Sequence, residues 1–161
     1  MSNATPILNP FVSIDGYRCF GCDPHSPIGL RLSFERDGDS LRAYWQPDER
    51  MEGYPGVIHG GIQATLVDEI GGWFIYAIAG TAGVTRTLEM SYERSARTED
   101  GPFCIEAREV SRTKKELTVE VQISGASGEL LATGRCAYAI FSEQVARKRL
   151  HFPGAEAFYN Q

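Results

Sequence analysis

The sequence predicts an α+β fold in which one long helix packs against an antiparallel sheet. Only residues 54–79, YPGVIHGGIQATLVDEIGGWFIYAIA, can build a helix of several turns. Nearly every other ordered stretch alternates apolar with polar residues, the period of a half-buried strand. A lone helix beside an antiparallel sheet must bury its apolar stripe on that sheet.

Pro55 and Gly56 mark a turn, and His59-Gly60-Gly61 stands where the chain swings into a helix starting near Gly61 and running to about residue 79. At 100° per residue Ile62, Leu66, Ile70, Trp73 and Ala77 share one stripe, which is expected to face the core. Gly61, Ala64, Thr65, Gly71 and Gly72 gather on the opposite side, with Asp68 projecting from their midst. A glycine inside a helix costs ~1 kcal/mol relative to alanine. Three of them beside one carboxylate imply that a second backbone or a ligand comes close to that face.

Residues 1–28 are rich in Pro, Gly, Asn and Asp and show no period, so an irregular arm is expected there. Leu30–Phe34 and Leu41–Trp45 alternate on either side of Arg36-Asp37-Gly38-Asp39 and predict a hairpin. Beyond the helix, Val84–Arg94 alternates with Leu88, Met90 and Tyr92 on one face. Phe103–Val110, Leu117–Ile123 and Leu130–Phe141 predict three consecutive strands, and the order becomes ββαββββ. The expected organisation is an arm over 1–28, one domain over 29–142 and a C-terminal tail over 143–161, where Arg147-Lys148-Arg149 reads as lying on a solvated helix or tail.

At 161 residues the chain suits one core. No apolar run reaches the roughly 20 residues of a membrane-spanning helix, and the opening MSNATPILNP lacks the pattern of an export signal, so a cytoplasmic setting is expected. A formal net charge of −5 argues against general nucleic-acid affinity. Cys19, Cys22, Cys104 and Cys136 are then expected as reduced thiols. Cys19-Phe20-Gly21-Cys22 with His25 offers three metal ligands, but no second ligand pair follows in the sequence. A buried turn is the preferred reading of that stretch, and neither a metal nor a cofactor is expected.

Gly53-Tyr54-Pro55-Gly56-Val57-Ile58-His59-Gly60-Gly61 followed by Ala64-Thr65-Leu66-Val67-Asp68, with Gly83-Val84-Thr85 ahead of Met90-Ser91-Tyr92, resembles the hotdog-fold thioesterases. The likeness is to the phenylacetate-pathway and mitochondrial acyl-CoA thioesterases, and it covers roughly residues 28–142. Many members carry Asn or Gln in the loop before His-Gly-Gly, where this chain has Met51, Glu52 and Gly53. The resemblance implies an acyl-CoA substrate, a site at a dimer interface, and dimers that often pair into tetramers.

Thioester hydrolysis needs a base or nucleophile at the carbonyl carbon and a donor for the oxyanion. Ser124-Gly125-Ala126-Ser127-Gly128 does not form a nucleophile elbow. Asp68 is the leading carboxylate, either activating water or attacking directly, with its neighbour Glu69 the weaker choice. The Gly60 N–H at the helix entrance is suited to the thioester oxygen, aided by the positive end of the helix dipole. His59 can orient the same carbonyl, Gly61 belongs to the same binding turn, and the resemblance adds the Thr85 hydroxyl to hold water or orient Asp68. Arg112, Lys114 and Lys115, in the turn between two strands, are candidates for the CoA phosphates. Nine residues of helix advance ~13 Å, so His59 and Asp68 of one chain are expected to serve different sites, each completed by a second copy. Two other readings remain open: a non-catalytic acyl-CoA-binding module, and a hotdog dehydratase or hydratase, whose SGD-like signature is not seen.

Overall fold

Helix α1 spans Gly60–Phe74 and continues through a π-helical turn over Ile75–Ala79, closing at Gly80, whose φ of 71° is left-handed. The computed structural model to which it belongs describes residues 3–159. The strands are β1 (Thr5–Ile7), β2 (Phe34–Asp37), β3 (Ser40–Trp45), β4 (Glu52–Tyr54), β5 (Val57–Ile58), β6 (Gly83–Tyr92), β7 (Phe103–Arg112), β8 (Glu116–Ser124) and β9 (Leu130–Ile140). Seven of them form one antiparallel sheet in the order β1-β2-β3-β7-β8-β9-β6, while β4 and β5 pair separately. A second helix, α2, covers Glu143–Arg149. Strands β3, β6, β7, β8 and β9 all touch α1, so the sheet wraps the helix in the hotdog arrangement that the resemblance implies.

The core lies between that helix and the inner face of the sheet. Leu66, Ile70, Trp73 and Ala77 are buried as their shared stripe requires, and Val67 and Phe74 extend it sideways. Ile62, in the first turn, is only half-buried. Leu41, Ile105, Leu117, Val119, Ile123 and Leu131 meet them from β3, β7, β8 and β9. Close packing accounts for Gly134, since a Cβ there would lie 2.4 Å from Val67 Cγ1.

Three stretches differ from expectation. Leu30 and Leu32 are buried, as their alternation indicates, yet the ladder begins only at Phe34. Their N–H groups bond instead to the carbonyls of Phe20 and Gly21, at 2.8 and 2.9 Å. Alternation reports burial, and here the backbone partner is a loop. The N-terminal arm is not irregular throughout: Thr5–Ile7 pairs with β2 as an edge strand, too short to show a period. The C-terminal segment is not a solvated tail. Leu8 N–H bonds the Phe158 carbonyl at 2.8 Å, and Phe152 and Phe158 are buried in an aromatic cluster with Phe11, Trp73 and Tyr76. Both ends of the chain thus close over the C-terminal half of α1. The basic run Arg147-Lys148-Arg149 itself is exposed in the last turn of α2.

Candidate active site

Asp68 projects from the middle of α1, and Thr85 from the start of β6 reaches it with an O–H bond of 2.8 Å to Oδ1. Thr85 pairs across the ladder with Tyr138 of β9, and the Tyr138 O–H donates to the Asp68 backbone carbonyl at 2.9 Å, with Oδ1 at 3.4 Å. Burial pushes the Tyr138 phenol well above its ordinary pKa, so it remains a donor at neutral pH. Gly71 explains the approach of this ring: a Cβ there would lie 2.1 Å from the Tyr138 oxygen. The bare helix face at Gly71 therefore admits a side chain of the chain's own sheet, not a second backbone or a ligand. Gly72 is different, with open space around it, and it lines the cavity beside Asp68.

That cavity measures about 530 Å³ and is bounded by Asp68, Glu69 and Thr85 on its polar side and by Phe11, Trp73 and Tyr76 on its apolar side. Glu69 Oε1 accepts from Trp73 Nε1 and from the Cys19 thiol, both at 3.2 Å. Among the described residues the Asp68 carboxylate bonds hydroxyls of the sheet alone, whereas Glu69 is turned toward the N-terminal arm.

His59 occupies the N-cap of α1 with φ −57° and ψ 135°, and its Nδ1 accepts the Gly61 N–H at 2.9 Å. This leaves Nε2 as the proton-bearing nitrogen of the neutral ring. Among the described residues no acceptor takes the Gly60 N–H, while the Gly60 carbonyl receives the Tyr92 O–H at 2.8 Å. A free amide at the amino end of a helix is an anion-binding position. These groups open on a second cavity, about 570 Å³, lined by His59, Gly60, Gly61 and Tyr92. Glu52, which opens β4, holds the turn between β4 and β5: it accepts the Gly56 N–H at 2.8 Å and the Thr98 O–H at 2.6 Å. Those two bonds, the hydroxyl first, keep its carboxyl below the usual range.

The structure thus brings Asp68 to Thr85, and His59 to Gly60 and Gly61, but leaves the two groups in cavities that share no lining residue. The basic turn joins neither. Arg112 is paired with Glu109 at 2.5 Å, and Lys114 and Lys115 are exposed. That turn does sit at the Thr85 end of the sheet, where Glu116 at the start of β8 holds Arg86 at 3.2 Å. Tyr138, Tyr92 and Glu52 escaped the sequence reading. Tyr138 takes its place beside Thr85 from the pairing of β6 with β9, and Glu52 takes its own from bonds to Gly56 and Thr98; spacing along the chain signals neither.

Cys19 and Cys22 come together against α1, their sulfurs 3.0 Å apart, with the Cys22 N–H directed at Cys19 Sγ at 3.4 Å. The Cys22 thiol hydrogen bond holds Cys19 below the ordinary thiol value, and the same contact, with burial, pushes Cys22 up. All four cysteines are free thiols.

Comparison with known proteins extends the geometry. Residues 55–132 match the family model described as the thioesterase superfamily. A curated protein of Saccharolobus solfataricus, provisionally named an esterase, is 23% identical over 124 residues, covering 76% of this chain and 81% of that protein. Among solved structures, a thioesterase superfamily protein superposes with a TM-score of 0.70 at 24% identity, covering 75% of this chain but only 59% of its own length. A Haemophilus influenzae thioesterase gives a TM-score of 0.64 at 20% identity, covering 70% of this chain and 80% of that one. A Streptococcus mutans protein solved with acetyl CoA gives 0.64 at 17% identity, covering 81% and 98%. At these identities the superpositions establish a common fold.

Proposed function

We propose that this hotdog-fold chain, whose residues 55–132 match the thioesterase superfamily model, hydrolyses an acyl-CoA thioester at a site completed by two copies of the chain. The observation that carries the reading is the division of the chemistry. A carboxylate with a hydroxyl partner, Asp68 and Thr85, borders one cavity, and the unpartnered Gly60 N–H with His59 borders another.

Strand β6 links the two halves. It runs from Thr85 at the carboxylate cavity to Tyr92 at the glycine cavity, forms one edge of the sheet, and is exposed along nearly its whole length. An antiparallel pairing of two β6 edges centred near Leu88 would bring Thr85 of each chain alongside Tyr92 of the other. Asp68 would then approach the partner's Gly60, with Leu88 (37% exposed) and Tyr92 (50% exposed) covered on the way. A homodimer, or a tetramer of paired dimers, follows.

In this reading the thioester oxygen accepts from the Gly60 N–H, with His59 beside it, and Gly61 shapes the turn. Asp68 takes a proton from a water held by Thr85, which attacks the carbonyl, or attacks the carbonyl itself, in which case a later water cleaves the mixed anhydride and frees the carboxylate. The oxyanion that forms stays under the helix dipole, and collapse expels the CoA thiolate. Arg112, Lys114 and Lys115 lie at the carboxylate end of the sheet and are suited to the CoA phosphates. The aromatic wall formed by Phe11, Trp73 and Tyr76 favours a compact or aryl acyl group, in keeping with a phenylacetate-pathway type of thioesterase. Coenzyme A binding in solved hotdog structures such as the S. mutans protein supports the substrate class. Among the described residues no helix is long and apolar enough to cross a membrane, and a cytoplasmic setting is part of the proposal.

The test is release of free thiol from a panel of acyl-CoAs. Turnover is expected with short or aryl acyl groups and little with long chains. Binding without thiol release across the panel would favour the acyl-CoA-binding module.

A further inference from the structure

We propose that Cys19, Cys22 and Glu69 form a binding site for a thiophilic divalent cation of the zinc class, clasping the N-terminal arm to α1. This proposal does not depend on the thioesterase reading.

The three donors come from two separate parts of the chain. Cys19 and Cys22 sit in a loop of the arm, and Glu69 is on the long helix fifty residues later. One ligand atom from each lies within 4.8 Å of the other two. Cys22 is 4% exposed, and Cys19 and Glu69 are half-buried. His25, the third donor suggested by the sequence, is exposed and stands outside the cluster. Glu69 takes its place.

Two features of the loop are built around this convergence. Gly21, between the cysteines, presses on the Glu69 carboxylate so closely that a Cβ would lie 2.4 Å from Cδ and Oε2. Its missing side chain is what lets the carboxylate reach the sulfurs. The Cys22 N–H points at Cys19 Sγ, and the carbonyls of Phe20 and Gly21 are fixed by Leu30 and Leu32. The bonds from Leu30 and Leu32, which involve no thiol, thus help to hold the loop in shape.

Three groups able to carry negative charge converge here, and Glu69 makes no ion pair among the described residues. Its partners are the Cys19 thiol and the Trp73 N–H. A divalent cation would neutralise the cluster. Tetrahedral zinc with Zn–S bonds near 2.3 Å separates its sulfurs by about 3.8 Å. The present 3.0 Å spacing must open by less than about 1 Å, and Sγ of Cys22 gives up its thiol bond to Cys19 and its contact with the Tyr17 hydroxyl at 2.9 Å. Two thiol protons pass to solvent as the metal binds, so affinity falls as pH falls. A disulfide is the competing use of two adjacent thiols. It requires sulfurs at about 2.05 Å, and it gives the carboxylate in contact with them no role.

Three protein donors leave one coordination position, and the cluster borders the same cavity as Asp68. The cation would thus tie the arm across the wall of that cavity.

The full chain, reduced and freed of metal by chelator, is titrated with Co²⁺ and then with Zn²⁺. One Co²⁺ per chain is expected, with a sulfur-to-metal charge-transfer band that Zn²⁺ abolishes and a rise in Tm on loading. Cys19→Ser and Cys22→Ser should each lose the band. Glu69→Gln should weaken binding by about 10-fold or more. Gly21→Ala, which displaces only the movable end of Glu69 and so retains the fold, should weaken it comparably. The proposal is overturned if the reduced parent shows no charge-transfer band at excess Co²⁺. It is equally overturned if binding survives in the cysteine variants, or if Glu69→Gln and Gly21→Ala both bind as the parent does.

Discussion

Replacing Asp68 with Asn should lower acyl-CoA turnover by ~10²-fold or more while leaving the fold and most substrate binding intact. The magnitude is that of a positioned general base; a nucleophilic carboxylate would lose at least as much. Asparagine keeps the shape and an oxygen to accept from Thr85, so the Oδ1 contact at 2.8 Å can persist while the basic function is lost. The Tyr138 bond to the backbone carbonyl is untouched by the change. Glu69→Gln is the necessary comparison, since it removes the neighbouring carboxylate of the same cavity. A larger loss there than in Asp68→Asn would reassign the acid. Unchanged turnover in Asp68→Asn would remove this mechanism and place the base on another residue. Saturating substrate, with circular dichroism on both variants, separates chemistry from folding.

The second large effect concerns stability. Trp73 is 2% exposed, stacks on Phe34 with ring centroids 4.7 Å apart, and meets Phe11, Tyr76 and Phe158 edge-on. It is the residue through which the arm, the C-terminal segment and the sheet all grip α1. Truncating a buried aromatic to alanine costs about 3–5 kcal/mol, because the cavity it leaves does not fully collapse. For a chain of this size that is a Tm fall of roughly 6–20 °C. Chemical denaturation should register it as a lower midpoint. A loss below about 1 kcal/mol would mean that the terminal segments do not pack on Trp73 in solution as they do here.

The comparison of sequence with structure divides along physical lines. The helix and the strands after it were legible because each presents its apolar residues at one period over many positions. Leu66, Ile70 and Trp73 could hardly face elsewhere, and β6 to β9 fall within a few residues of their expected bounds. Period fails where burial and backbone pairing part company. Leu30 and Leu32 alternate and are buried, but the carbonyls they meet belong to the cysteine loop. It fails again where a segment is short, as at Thr5–Ile7, and where aromatics act through a distant cluster, as Phe152 and Phe158 do. The candidate site was legible to the extent that its residues lie in one motif: His59, Gly60, Gly61 and Asp68 share a single helix and its entrance. The link from Asp68 to Thr85 came from resemblance alone, and the structure supplies its contact. Tyr138, Tyr92 and Glu69 gain their positions from pairings across the fold, which spacing along the chain does not reveal. Gly71 shows the limit of reading small residues: the space it leaves belongs to Tyr138, whereas Gly72, one position on, is open.

Complementation between two differently disabled chains tests the shared site most directly. One partner is Asp68→Asn. The other is Gly60→Pro, which deletes the N–H proposed for the oxyanion. Proline is well tolerated at the first position of a helix, and the preceding His59, at φ −57° and ψ 135°, already has the conformation a proline demands. Each variant alone should hydrolyse acyl-CoA poorly. After mixing under conditions that exchange subunits, one of the two sites in a mixed dimer carries Asp68 from one chain opposite Gly60 from the other, and the second site carries both substitutions. Activity should then recover toward one intact site per mixed dimer, and sedimentation should show oligomers throughout. Failure to recover, with exchange demonstrated by labelled chains, or full activity in a monomer at micromolar concentration, would contradict a site built from two copies.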